Sequence, residues 1–190
     1  MQKTTFKIVF TLGMLLGGFL SQNLAAQNLT KSTPQNTQQN PLKITLYIVE
    51  NVPNNNMSAA FGKIENLSDE TITLNSAFSD ISNATELHHT TSDANGISKM
   101  QKIDFFAIEP KSSLILKPKS YHIMFIGLKS ALKAGNNATL ELKFAKNGEA
   151  ITTSIKTKII ARKELSKHLQ PLGIMLDSSQ MPQNPHHHNH

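Results

Sequence analysis

Apolar and polar residues alternate in short runs along most of the chain between residues 42 and 159. In Leu140-Glu141-Leu142-Lys143-Phe144, and again in Ile155-Lys156-Thr157-Lys158-Ile159, every second residue is apolar. A period of two belongs to a strand with one buried and one wet face, because successive side chains leave the backbone on opposite sides. The pattern predicts strands over 42–49, 57–64, 71–74, 84–90, 114–116, 121–128, 138–144 and 150–159. Between them fall Pro53-Asn54-Asn55-Asn56, Asp93-Ala94-Asn95-Gly96, Gly135-Asn136-Asn137 and Asn147-Gly148, residue types that tolerate tight turns. Only 128–133 has the character of a helical turn, and no long amphipathic helix separates the strands. The expected fold class is therefore all-β, a Greek-key sandwich or barrel with antiparallel pairing, and not a βαβ arrangement.

The two ends break the alternation. Lys3 and Lys7 precede an uncharged apolar run over 8–20, followed by Ser21-Gln22-Asn23 and the small pair Ala25-Ala26. This is the shape of an export signal, and its apolar run is short for a membrane span. Residues 1–26 are expected to be a signal peptide cut after Ala26, which implies a periplasmic location. Residues 27–40 are mostly Gln, Asn, Ser and Thr and are expected to form a disordered linker, leaving a β-domain over 41–162. Pro171, Gly173, Pro182 and Pro185 punctuate the C-terminal stretch, and 163–190 is expected to be a flexible tail. That tail carries Met175, Met181, His186, His187, His188 and His190, a compositional signal for metal binding.

Charge and composition narrow the chemistry. The formal net charge is +6, two of those charges lie in the expected signal, and the remaining lysines are scattered. With no Trp and two Tyr, there is no basic stripe interleaved with stacking aromatics, so nucleic acid is not an expected partner. The absence of cysteine excludes disulfides, thiolate zinc, iron–sulfur clusters, a cysteine nucleophile and a blue-copper centre. Methionine is the soft ligand that remains.

Histidine and methionine are clustered. His88 and His89 are adjacent, and His122 stands two residues before Met124 inside a predicted strand. Residues at i and i+2 of a strand share a face about 6.5–7 Å apart, which suits two ligands of one ion. Thioether sulfur with imidazole nitrogen is a soft set that favours Cu(I), whereas Zn²⁺ gains little from thioether.

The segments Met57 to Asn66, Glu86-Leu87-His88-His89, Gly96 to Met100 and Tyr121-His122-Ile123-Met124 carry a further pattern. Together they resemble the periplasmic copper chaperone family PCu(A)C over about 57–159. The family signature is a His, ten residues, a Met, twenty-one residues and then His-X-Met, a count that His89, Met100, His122 and Met124 satisfy. In the family the first ligand follows a Glu-Leu or Glu-Ile pair, which selects His88 instead, so both histidines stand as candidates. Lys119-Ser120 occupies the place where the family usually has a Gly pair.

The resemblance implies a cupredoxin-like sandwich that holds Cu(I) and passes it to a respiratory oxidase copper subunit or a thiol-containing assembly protein. It implies a monomeric metallochaperone and not an enzyme. A copper-dependent enzyme and a secreted adhesion sandwich are the alternatives. The first is disfavoured by the lack of a second His cluster in the domain or a general base beside the His/Met set. Imidazole-rich tails suit Cu(II), so the tail is expected to be a second, independent site.

Overall fold

The computed structural model describes residues 40–177 and Gln180. Ten strands follow one another: β1 (Leu42–Val49), β2 (Met57–Asn66), β3 (Ile72–Phe78), β4 (Ser82–Ser92), β5 (Ser98–Lys102), β6 (Phe106–Ile108), β7 (Ser113–Leu116), β8 (Tyr121–Leu128), β9 (Asn137–Lys146) and β10 (Glu149–Ile160). They hydrogen-bond in the order β5-β4-β8-β2-β1-β10-β9-β3-β6, with β7 added to β2. The all-β expectation holds, and the predicted strands fall on β1, β2, β3, β4, β7, β8, β9 and β10. Two strands have no counterpart in the sequence pattern, β5 and β6. The first has all five residues exposed, so it carries no alternation to read, and the second is only three residues long.

The alternation works as expected in β9, where Ala138, Leu140, Leu142 and Phe144 are buried and Glu141 and Lys143 point away. Burial of each large apolar side chain stabilises the fold by roughly 1.5–3 kcal/mol relative to leaving it in water. The same core takes in Ile64, Ile72, Leu74, Leu87, Ile123 and Phe125. On β8, Ile123 and Phe125 are fully buried together, leaving His122 and Met124 on the opposite face.

Three departures from the sequence reading have physical causes. The pairing is not wholly antiparallel, since β1 and β10 run parallel. These are the first and last strands, joined through the entire domain, so no short hairpin dictates their direction. The turn expected over 128–133 is not a helix; Lys129 and Ser130 form a bend. The stretch expected to begin a flexible tail is packed instead. Residues 162–164 and 170–172 form 3-10 turns on either side of a short helix, α1 (Leu165–Leu169). Leu165, Leu169 and Ile174 bury themselves with Val49 and Ile160 against Tyr47, Phe61 and Ile115. This second apolar cluster covers the face of β1, β2 and β10 that the main core leaves open. Pro171 sits in the first turn of its 3-10 element, and Gly173, with φ of 76°, ends it, so residues that read as tail punctuation are caps.

Gly62 marks the point where β2 changes neighbour. Residues 57–60 of β2 pair with β8, and 62–65 pair with β7. Gly62 has φ of 146°, and a Cβ there would lie 2.1 Å from the Thr45 carbonyl oxygen. Only glycine fits so close an approach of two backbones.

Candidate metal centre

Register decides which side chains meet. His88 on β4 stands directly opposite His122 on β8, and Glu86 opposite Met124. On the other side of β8, Met124 faces Ala59 of β2. On the far side of β4, Thr90 faces Met100 of β5. Residues opposed across a ladder project to the same face, so Glu86, His88, Thr90, Met100, His122 and Met124 share one face. His89 belongs to the other face. It opposes Tyr121, and their ring centroids are 4.2 Å apart, while Tyr121 makes an edge contact with buried Phe106.

A pocket of about 250 Å³ opens on that face, with Met57, Met100, His122 and Met124 in its walls. Val49, Ala59 and Phe61 add apolar surface, and Lys119 and Arg162 bring positive charge to it. His88 is not part of the lining, but its ring centroid is 5.7 Å from that of His122. Met57 and Met100 are 38% and 49% exposed, which leaves two thioethers accessible from solvent. The sequence places Met57 on a strand or its rim, with a small chance of lying near the metal. Its position two residues before Ala59 on β2, on the face shared with Met124, is the signal that assigns it to the site.

The two imidazoles are differently held. His122 is 3% exposed, and its Nδ1–H donates to the Ser120 carbonyl at 3.0 Å. Burial pushes its pKa below the ordinary histidine value, against the opposing pull of the Ser120 bond. The ring is neutral at neutral pH, with a lone pair free to bind a metal. His88 Nε2–H donates to the Glu86 carboxylate at 2.8 Å, and Lys102 Nζ donates to the other carboxylate oxygen at 2.9 Å. The bond from His88, then that from Lys102, holds the Glu86 pKa below its ordinary value. His88 Nδ1 is buried and has no hydrogen-bond partner. Sequence reasoning passes over Glu86, which enters only as the residue preceding Leu87.

Among the described residues no group of three or more His, Cys, Asp or Glu side chains is gathered for a metal ion. What is gathered is thioether and imidazole. The turn before β8 keeps a glycine-like shape without glycine, since Lys119 adopts φ of 57°. Ser120 then faces both ways, as its carbonyl takes the His122 bond and also accepts from Thr90 N–H at 3.1 Å.

Of the tail residues, Met175 is described and is 70% exposed. Met181, His186, His187, His188 and His190 lie outside the described residues, as do the expected signal peptide over 1–26 and the linker up to residue 39. Gln180 Nε2 donates to the Pro118 carbonyl at 3.2 Å, and Pro118 is part of the pocket wall, so the chain reaches the pocket just before the histidine-rich end. His168, unassigned from sequence, packs against Tyr47 in the C-terminal cap with ring centroids 4.7 Å apart and the planes tilted by 43°. Among the described residues no helix is long and apolar enough to cross a membrane.

Residues 42–157 match the model of the LpqE-like family, whose description names a lipoprotein. The chain belongs to the LpqE-like family. A protein of Leifsonia xyli subsp. xyli, also named as a lipoprotein, is 37% identical over 90 residues, which cover 47% of this chain and 54% of that protein. The chain thus spans about half the length of the curated relative it matches. These 190 residues contain no cysteine thiol to carry a thioether-linked lipid. Among solved structures, the copper-bound PCuAC domain from PmoF2 is similar with a TM-score of 0.51 at 16% identity, covering 64% of this chain and 93% of that domain. The solution structure of CuI-DR1885 from Deinococcus radiodurans is similar with a TM-score of 0.52 at 23% identity, covering 68% of this chain and 85% of that one. The domain therefore has the PCuAC fold, as the resemblance implied.

Proposed function

We propose that this domain is an exported metallochaperone that takes up Cu(I) as cargo through His88, Met100, His122 and Met124 and hands it on without catalysing a reaction. The observation that carries the reading is the convergence of Met100, Met124 and His122 on one pocket, with the His88 ring 5.7 Å from that of His122. Soft thioethers with imidazole favour Cu(I) over divalent ions that prefer oxygen. The copper-bound neighbours named above have the same fold, which supports the same cargo. Exposure of Met100 and Met57 suits ligand exchange, because an incoming donor can displace a weak thioether from the solvent side. The acceptor in this reading is an oxidase copper subunit or a thiol-bearing assembly protein, and a thiolate, being a stronger soft ligand, would draw the ion from thioethers.

The test is titration of the mature domain with Cu(I) against a chromophoric chelator, in competition with Zn²⁺. One Cu(I) per domain, undisplaced by equimolar Zn²⁺, is the expected result. Equal competition by zinc would refute the soft-ligand argument.

The tail forms a second site in this reading. Its imidazoles suit tetragonal Cu(II), and a second site on the same chain raises the local copper concentration available to the pocket. Deletion of 181–190 is expected to remove Cu(II) stoichiometry and leave Cu(I) binding intact.

A further inference from the structure

Two histidines face one another across β4 and β8, and the groups that hold them are of opposite kinds. A carbonyl oxygen can only accept a hydrogen bond, so the contact of His122 Nδ1 with the Ser120 carbonyl puts the proton on Nδ1. The lone pair of His122 is therefore on Nε2. An ionised carboxylate likewise only accepts, so the contact of His88 Nε2 with Glu86 Oε2 at 2.8 Å puts the proton of His88 on Nε2. In the neutral ring the lone pair of His88 is then on Nδ1, the atom that is buried and without a partner. A buried nitrogen lone pair left unsatisfied is costly, and few native side chains carry one.

We infer that Glu86 is a positioning residue for copper: it fixes His88 in the Nε2–H tautomer so that Nδ1 binds the ion, while His122 binds through Nε2. Glu86 touches neither the pocket nor the ion in this arrangement and acts through the imidazole. Lys102 holds the second carboxylate oxygen at 2.9 Å, so the carboxylate cannot rotate away without losing an ion pair. The arrangement is favoured by sequence spacing. Glu86 and His88 are at i and i+2 of β4, and Lys102 is directly opposite His88 on β5, so all three share one face. A carboxylate hydrogen-bonded to the far nitrogen of a metal-binding imidazole selects the tautomer, aims the ring and raises its basicity, and loss of such a partner costs about 10–100-fold in metal affinity.

The inference rests on the copper reading above, and the experiment separates the two. Full-length mature protein labelled with ¹⁵N is examined by long-range ¹H–¹⁵N NMR before and after one equivalent of Cu(I), for wild type, Glu86→Gln and Glu86→Ala, with Cu(I) affinity measured in parallel. Before copper, wild-type His88 is expected in the Nε2–H form and His122 in the Nδ1–H form. On adding copper, the shift is expected at His88 Nδ1 and His122 Nε2. Glu86→Ala is expected to mix the His88 tautomers and to weaken Cu(I) binding by about 10–100-fold. Glu86→Gln, whose amide oxygen still accepts from Nε2–H, is expected to keep the tautomer and recover most of the affinity, which a change of fold would not do. Coordination of His88 through Nε2, a copper shift confined to His122, or unchanged affinity in Glu86→Ala overturns the role of Glu86 and leaves the copper reading standing. Absence of a copper shift on both imidazoles of the wild type overturns both.

Discussion

The half of the sheet formed by β3, β9 and β10 and the half formed by β4, β5 and β8 share one pattern of alternation and use their second face differently. On β9 the outward residues are exposed in the ordinary way, with Glu141 and Lys143 side chains 35% and 59% exposed and 3.6 Å apart. Glu70 and Lys146 pair nearby at 3.1 Å. On β4 and β8 the corresponding positions hold imidazoles that are largely buried, His88 with a side chain 12% exposed and His122 at 3%. Burying a polar ring is unfavourable unless both nitrogens are satisfied, and here one is not. In one half the outward face carries exposed ion pairs. In the other, a buried imidazole nitrogen is left without a partner, and such a departure from good packing points to a binding site.

The comparison is broken most severely from the structural half. Phe144→Ala removes a side chain that is 1% exposed in the core, and a loss of about 3–5 kcal/mol in unfolding free energy is expected by denaturant titration. Cu(I) binding by the fraction still folded should be unchanged. His122→Leu reverses the outcome. Cu(I) affinity should fall beyond the ~10–100-fold typical of losing an outer-shell partner, while thermal stability stays level or rises because an aliphatic group replaces a desolvated imidazole. A Tm lowered by several degrees would show that His122 is there for packing.

A finer cut lies within β4 itself. His88→Ala should weaken Cu(I) binding by about tenfold or more, given its ring 5.7 Å from His122. His89→Ala, on the opposite face against Tyr121, should alter affinity by no more than about 0.5 kcal/mol. Equal effects in competition titrations would mean that the strand register does not govern ligand choice. Met57→Leu, nearly isosteric, should cost less than about 1.5 kcal/mol of stability and speed the release of Cu(I) to a thiol acceptor in stopped-flow.

The smallest effect is electrostatic and belongs to the structural half. Hydrogen bonds from Lys146 and then Asn147 hold the Glu70 pKa below its ordinary value of 4.5. A depressed carboxylate contributes stability that is present above the unfolded value and is lost as pH falls through the folded one. Glu70→Gln should therefore lower Tm slightly at pH 7, and the gap from wild type should narrow as pH falls below the ordinary value of 4.5 and with added salt. A gap that persists at low pH would rule out the ion pair as its source.

Legibility differed between the parts of the site. His122 and Met124 could be read directly, since a His-X-Met inside one alternating strand puts both on one face whatever its neighbours do. Met100 depended on spacing, because its strand has no buried face to give it a pattern. The choice between His88 and His89 stayed open, as both adjacent positions are partly buried and only the partner strand distinguishes them. Glu86 was passed over and Met57 was given only a small chance of lying near the metal, since strands distant in the chain decide what each of them faces. The C-terminal cap was misread because Pro171 and Gly173 signal equally a loose tail and a capped turn, and the difference lies in what Leu165, Leu169 and Ile174 cover.

By itself the sequence determined the class of fold, the lack of thiol chemistry, and the presence of a soft histidine and methionine set, because alternation and composition are local properties. Tertiary structure decided which of these residues face each other. Pairing of β4 with β8 put His88 and not His89 opposite His122, the β4–β5 hairpin brought Met100 to the same face, and pairing of β2 with β8 set Met57 on the face of Met124. A one-residue difference in register would turn every side chain of a strand to the other face at no change in local sequence. That is why the identity of the donors is written along the chain, while their meeting is written only in the sheet.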